Sequence, residues 1–106
     1  MDANRDRERA VSIARSALTR QLGTLEAVRP LAPYTHSVPE LFAEDANTFI
    51  GIDSETDDLP IGRLRERWHP DFLPEKDVEI ARCEHLWRDR VLGACERIVV
   101  RGGAVQ

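Results

Sequence analysis

The chain has 106 residues, 42% of them hydrophobic and 32% charged, so we expect one globular domain with its own core and exclude a wholly disordered chain. Its net charge of −4 is unevenly placed: residues 30–62 carry seven acids and no Lys or Arg, and the segments on either side are slightly basic. This distribution excludes nucleic acid and an anionic membrane as the main partner, because both need a positive surface.

The first predicted element is a long helix over residues 4–29. Apolar residues recur there at steps of three and four, among them Val11, Leu18 and Leu25, which marks one buried stripe. Pro30 is expected to end the helix, because the residue before a proline avoids the α region.

The middle of the chain predicts less regular structure. Ser37 and Glu40 have the spacing of a capping box, which predicts a short helix that reaches Phe42. Residues 47–62 show no clean helical period, so we expect an irregular acidic crossover with residues 53–58 in an exposed loop.

The C-terminal part predicts a short helix over residues 61–68 and then a second long helix. Pro74 suits the first turn of that helix, which is expected to run to about Arg101 and to stop at Gly102-Gly103. Acids crowd its first turns and Arg97 and Arg101 its last, as the helix dipole favours.

These elements predict an all-α domain over residues 1–106. It is a small helical bundle of two long antiparallel helices, one or two short helices and an irregular acidic crossover. The two long helices have similar predicted lengths, so the segment between them must return the chain and cover their open apolar face. The residues expected in the core are Val11, Leu18, Leu22, Leu25, Phe49, Ile52, Trp68, Ile80, Trp87, Val91 and Ile98.

The cysteines and the N-terminus bear on the compartment. Cys83 and Cys95 lie in one predicted helix, about 18 Å apart at 1.5 Å per residue, which is too far for a disulfide. No apolar run follows the charged N-terminus, so no signal peptide is predicted, and no segment has the roughly 20 apolar residues of a membrane span. We therefore expect a reduced, cytoplasmic protein.

The acids of the middle segment are the candidate functional residues. Asp53, Glu55 and Asp57 have the spacing that opens a calcium-binding loop, but Asp58 and Leu64 stand where an EF-hand needs Gly and Glu. A looser site for Mg²⁺, Ca²⁺ or Mn²⁺, in a small enzyme or regulator, remains an alternative. No cofactor and no catalytic residue are predicted, since no histidine has a nucleophile in a recognisable motif nearby.

A second alternative comes from a short motif. His69-Pro70-Asp71 matches the tripeptide that J-domains place between their second and third helices, and Arg63, Arg65 and Arg67 resemble the basic face of such a second helix. This resemblance implies a degenerate J-like cochaperone. Pro60 leaves room for only about two helical turns before the tripeptide, which departs from the J-domain pattern.

The sequence FIGIDSETDDLPIG at residues 49–62 is distinctive. Further matching positions are Arg65, Trp68, Lys76-Asp77, Glu79-Ile80 and the closing Ala94-Cys95. In these positions the chain resembles an uncharacterised family of small bacterial helical proteins, and the resemblance covers most of the chain. It implies a helical fold and brings no established activity.

The leading hypothesis is a non-catalytic protein-binding module of the bacterial immunity or antitoxin type. Such inhibitors are often small and acidic, and a segment with seven acids would neutralise the basic face of a toxin domain and speed association. A homodimer formed through the apolar rows of the last helix is compatible with this function. The residues expected to contact the basic partner are Glu44, Asp45, Asp53, Glu55, Asp57 and Asp58.

Overall fold

The computed structural model describes residues 3–103, which form helices and turns with no strand among them. Three short 3₁₀ helices cover Ala43–Asp45, Gly62–Arg67 and Pro70–Phe72. The α-helices are α1 (Ala3–Leu18), α2 (Thr24–Leu31), α3 (Tyr34–Ser37), α4 (Pro39–Phe42), α5 (Ala46–Glu55) and α6 (Leu73–Gly103). The all-α prediction is therefore confirmed.

The two longest helices, α1 and α6, pack side by side in opposite directions. Val11 of α1 lies beside Gly102 near the end of α6, while Ala17, further along α1, borders the same groove as Leu92. The 31 residues of α6 span about 46 Å at 1.5 Å per residue, so this one helix runs almost the full 48 Å length of the molecule. The predicted pair of long antiparallel helices is confirmed, and α6 is its longer member.

The predicted continuous helix over 4–29 is wrong in its length, because the chain turns between α1 and α2. Arg20 has a φ of 64°, and the amides of Gln21 and Leu22 both donate to the carbonyl of Ser16, which closes α1. Pro30 does not end the helix either, since α2 continues to Leu31. The turn lets α2 fold back and pack against both long helices. The spacing of apolar residues in the sequence does not reveal this packing.

The middle segment is more helical than its sequence predicted. Ser37 ends α3 instead of capping a helix, and Val38 precedes α4 without any side-chain cap, so the capping box is absent. Residues 47–55, the first part of the segment expected to be irregular, are helical and belong to α5, because Phe49 and Ile52 share one face and are buried against the core. The predicted exposed loop is thereby shortened to the turn that follows Glu55.

The short helix predicted over 61–68 is a 3₁₀ helix over Gly62–Arg67. Arg65 donates two hydrogen bonds to the carboxylate of Asp77, which holds this segment against α6. Trp68 follows it and lies outside the core, with Nζ of Lys76 5.5 Å from the centroid of its ring. The prediction that Trp68 is a core residue is therefore wrong.

The core lies between α1, α2, α4, α5 and the second half of α6. At its centre the rings of Phe42 and Phe49 meet edge to face, with their centroids 5.4 Å apart. The predicted core residues that are fully buried are Leu25, Phe49, Ile52, Val91 and Ile98. Those that pack against them while partly exposed are Val11, Leu18, Leu22, Ile80 and Trp87.

Both cysteines lie in α6, as predicted, and both are unbonded. Cys95 is fully buried, and burial, with the charge of Asp45 nearby, raises the pKa of its thiol to about 12. A thiol reacts as its thiolate, and the raised pKa keeps Cys95 protonated at neutral pH. Cys95 therefore serves as a small apolar residue of the core. Within residues 3–103, no helix combines the length and apolar character needed to cross a bilayer.

The close approach of α1 and α6 depends on Gly102, since a Cβ there would lie 2.2 Å from Cγ2 of Val11. We expect Gly102→Ala to destabilise the protein by roughly 1–2 kcal/mol, and Val11→Ala in the same chain to recover part of that loss. Urea unfolding measures both effects. The control is Gly51→Ala, in open space within α5, which should stabilise by up to about 1 kcal/mol. Equal effects of the two Gly→Ala changes would contradict this account.

Candidate functional site

Asp45, one of the predicted contact residues, is buried at the start of α5 and paired with α6. Its side chain is only 7% exposed, and its two carboxylate oxygens accept hydrogen bonds from Nε and Nη2 of Arg97, both 2.8 Å long. This two-pronged geometry matches the planar guanidinium to the carboxylate. Asp45 therefore joins the middle segment to the last helix and is not available to a partner.

Arg101 completes this contact, which we call the Asp45 clamp (Asp45, Arg97 and Arg101). Its Nη1 donates to the backbone carbonyl of Leu41 at 3.0 Å and lies 3.6 Å from Asp45, and its Nη2 donates to Glu44 at 2.8 Å. One arginine thus contacts the end of α4 and both acids of the first 3₁₀ helix. Glu44 stays exposed at its surface, but its charge is already paired within the chain.

The clamp lowers the pKa values of both acids. The hydrogen bond from Arg97 does most to hold the pKa of Asp45 below its ordinary value, against the opposing effect of burial. For Glu44, its own backbone amide and then Arg101 lower the pKa. Both groups are therefore carboxylates at neutral pH, and they form ion pairs with two arginines of α6.

A second contact fixes the far end of α5. Arg29 of α2 donates a short hydrogen bond from Nη2 to the backbone carbonyl of Thr56, and its Nε lies 3.6 Å from Asp53. The Thr56 hydroxyl donates to the carbonyl of Ile52 at 2.7 Å, and Thr56 is buried. Asp53 is half-buried and lies beside this guanidinium group, and the end of α5 is held in place.

The three remaining acids, Glu55, Asp57 and Asp58, form an exposed group that we call the acidic turn. Among residues 3–103, no Lys, Arg or His nitrogen lies within 4.0 Å of their carboxylates, since none appears in an ion pair. The turn is fixed from beneath, because Thr56 and Leu59 on either side of Asp57 and Asp58 are buried. Three unpaired carboxylates thus stand on a well-anchored piece of backbone.

The structure therefore divides the six predicted contact residues. Asp45 is buried, Glu44 and Asp53 are paired with arginines, and only the three acids of the acidic turn are both exposed and unpaired in the described part of the chain. In the sequence, the seven acids of residues 30–62 form one acidic segment, from which six contact residues are predicted. Four of the seven acids have partners elsewhere in the chain, the fourth being Glu40, which pairs with Arg7.

The arginines that pair with these acids have a role beyond the one predicted from sequence. Arg97 and Arg101 are expected to complement the helix dipole, yet both side chains contact Asp45. Their spacing of four residues, one turn apart on one face of α6, was the available signal, because such a pair presents two guanidinium groups to the same side. Arg29 carried no such signal, since its partners Asp53 and Thr56 are brought to it only by the fold.

The alternative of a metal site gains no support from the geometry. Across residues 3–103, no group of three or more His, Cys, Asp or Glu side chains is placed to hold an ion. The acids that the calcium-loop spacing drew together are separated by the helix, because Asp53 and Glu55 lie on α5 and Asp57 lies beyond its end. Asp53, moreover, faces the Arg29 guanidinium.

The J-domain alternative also lacks its framework. His69 caps the start of the third 3₁₀ helix, with its Nδ1 accepting a hydrogen bond from the amide of Asp71 at 3.2 Å, and both side chains are exposed. The element before the tripeptide is a 3₁₀ helix of six residues, too short for a J-domain second helix. One of its three arginines, Arg65, is bound to Asp77. The tripeptide acts here as the turn that starts α6.

Comparison with known proteins gives no independent guide to function. No family model, no curated protein and no solved structure matches the chain.

The clamp predicts a pH-dependent stability difference. Asp45→Asn leaves Arg97 facing an uncharged amide, and we expect a loss of about 2 kcal/mol at neutral pH. Since the folded pKa of Asp45 is lowered from 3.8, its contribution is fully present above that value and is lost as pH falls through the folded pKa. The gap between wild type and variant should therefore narrow below about pH 4. Urea unfolding from pH 7 to pH 3 measures it.

Glu44→Gln is the matched control, because Glu44 is the neighbouring acid and its side chain is 69% exposed. We expect a much smaller loss of stability from it, since solvent screens exposed pairs. A loss as large as that of Asp45→Asn, or a gap for Asp45→Asn that stays constant down to pH 3, would contradict the role assigned to the clamp.

Ala43 carries the backbone strain of this region, with φ 44° and ψ −119° where α4 ends and the first 3₁₀ helix begins. We expect Ala43→Gly to stabilise the protein by about 1 kcal/mol, because glycine adopts this conformation without the Cβ clash. The control is Ala46→Gly, at an ordinary φ of −55°, which should destabilise instead. Thermal unfolding distinguishes the two, and a loss of stability for both would refute the assignment of strain.

Proposed function

We propose that the protein is a non-catalytic binding module of the immunity or antitoxin type, which engages a basic protein partner through the acidic turn. The observation that carries this proposal is the group formed by Glu55, Asp57 and Asp58, three exposed carboxylates without an internal cation among residues 3–103. Four of the seven acids in residues 30–62 form ion pairs within the chain. The unpaired negative charge of this segment is therefore concentrated in one short turn.

The turn is suited to binding because it is already ordered. Thr56 and Leu59 are buried beneath it, and Arg29 donates a hydrogen bond to the backbone carbonyl of Thr56. A prearranged surface loses less conformational entropy on association than a mobile loop does. Its negative potential would steer a positively charged partner and raise the association rate, as in other complexes with opposed charge.

The partner class we favour is a basic toxin domain in the same cytoplasm. A toxin that acts on nucleic acid needs a positive surface, and an acidic inhibitor competes for that surface directly. Glu44 and Asp53, at the margins of the acidic turn, would add weaker contacts, because each already shares its charge with an arginine.

The experiment begins with the neighbouring genes and with proteins that co-purify from the source cell, which identify the candidate partner. We expect the combined variant Glu55→Lys, Asp57→Lys, Asp58→Lys to bind that partner at least about tenfold more weakly at low salt. Its affinity should also depend less steeply on salt, because the attraction between opposite charges is gone. Titration calorimetry at two salt concentrations measures both quantities.

The matched control is Glu8→Lys, Glu26→Lys, Glu66→Lys, which changes the net charge equally at three separated exposed positions. Near-normal binding by this control, with loss in the acidic-turn variant, supports a local contact. An equal loss of binding in both variants would show that only the net charge matters, which would contradict a local contact. Normal binding by the acidic-turn variant would refute the proposed surface.

A further inference from the structure

The N-terminal half of α6 is poorly covered by the rest of the fold. No residue from 73 to 90 is fully buried, whereas Val91, Ala94, Cys95 and Ile98 in the second half all are. Three large apolar side chains of α6 stand in solvent: Val78 is 67% exposed, Leu86 66% and Val100 65%. One helix thus holds three of the five exposed large apolar residues in the described chain.

These apolar residues share one row on the outside of α6. At 100° per residue, positions 78, 82, 86, 89, 93, 96 and 100 fall within a sector of about 80°. This outer row reads Val, Arg, Leu, Asp, Gly, Glu, Val, and Gly93 is its only half-buried member. This row does not include Leu92, Cys95 and Val99, which form one of the apolar rows of α6 through which a homodimer is expected. Cys95 is buried, and Leu92 and Val99 pack on the core.

The charges on the outer row are divided by sign about Leu86. Arg82 lies before Leu86, while Asp89 and Glu96 lie after it. Two copies laid antiparallel about Leu86 would place Arg82 of each copy beside these acids of the other, whereas a parallel pair would place like charge on like. The charge pattern therefore selects both the kind of partner and its direction.

We propose that the outer row of α6 pairs with the outer row of a second copy, antiparallel, with the two Leu86 side chains at the centre. Arg82 lies four residues before Leu86 and Asp89 three residues after it, about 6 Å and 4.5 Å along the axis. In the antiparallel pair each Arg82 therefore faces the other copy's Asp89. Neither residue has an ion-pair partner within residues 3–103.

The groove beside Gly93 accommodates the next contact. Val78 lies eight residues before Leu86 and Gly93 seven after it, so each Val78 meets the Gly93 of the other copy. The surface there is a shallow groove of about 380 Å³, lined by Gly93, Glu96, Arg97, Val100 and Arg101. A glycine at this position lets a side chain of the opposite helix approach the backbone closely.

The interface is a single helix pair, which is small by the standard of stable complexes. We therefore expect a weak dimer, with a dissociation constant on the order of 10 μM. Its occurrence does not depend on the partner proposed for the acidic turn, so each proposal can fail while the other stands.

Sedimentation of the full chain from about 1 to 500 μM tests the pairing. We expect wild type to convert from monomer to dimer in this range and Leu86→Lys to weaken the dimer at least about tenfold, because two lysines then meet at the centre. The control is Ile50→Lys, the same kind of change at an exposed apolar residue of α5, which should leave the dimer unchanged. A wild type that remains monomeric throughout overturns the proposal.

A charge exchange tests the direction of pairing. Arg82→Asp and Asp89→Arg should each weaken the dimer severalfold, and the double variant should restore it, because each altered residue again faces an opposite charge. In a parallel pair, position 82 faces 82 and 89 faces 89, so exchange would restore nothing. A double variant no stronger than the weaker single variant overturns the antiparallel arrangement. Circular dichroism verifies that each variant keeps its helices.

Discussion

The contact on which the arrangement depends is the bidentate pair between Asp45 and Arg97, supported by Arg101. It joins a carboxylate at the start of α5 to a helix 52 residues further along the chain. Because the carboxylate is almost fully buried, it is tolerated only where both oxygens have donors. The position of α5, and with it that of the acidic turn at its other end, is therefore set by where α6 presents these two arginines.

A buried ion pair is weak evidence for stability, since the loss of hydration offsets much of the attraction. Its consequence here is geometric: Arg101 also binds the Leu41 carbonyl, so the clamp fixes the strained Ala43 turn as well as α5. Arg29 does the same at the far end by holding the Thr56 carbonyl. Three arginines from two different helices thus hold both ends of the short helix that carries the candidate surface.

The elements that the sequence predicted well are those whose signals are local. The second long helix was placed within a few residues because its apolar residues recur regularly from Ile80 to Ile98 and Pro74 suits its first turn. The α1–α2 turn was missed because Leu18, Leu22 and Leu25 keep helical spacing across it. Only the packing of α2 against the long helices makes the left-handed turn at Arg20 favourable.

The candidate site was predictable in composition and not in detail. The sequence showed where the acids lie, but Asp45 and Asp58 look alike in a local window. Their difference depends on which arginine the fold brings near, and for Asp45 that arginine is distant in the chain. Asp53 shows the same limit, since its half-burial follows from the approach of α2.

The paired and unpaired charges also explain why the two proposed surfaces are separate. Arg29, Arg97 and Arg101 are already bound to acids of the middle segment, so they cannot neutralise the acidic turn without releasing those contacts. Arg82 and Asp89 lie on the outer row of α6, and each is unpaired among residues 3–103. A single excess sign on the acidic turn favours a partner of opposite charge, whereas balanced opposite signs along one helix favour a second copy of that helix. The same physical rule therefore assigns different partners to the two surfaces.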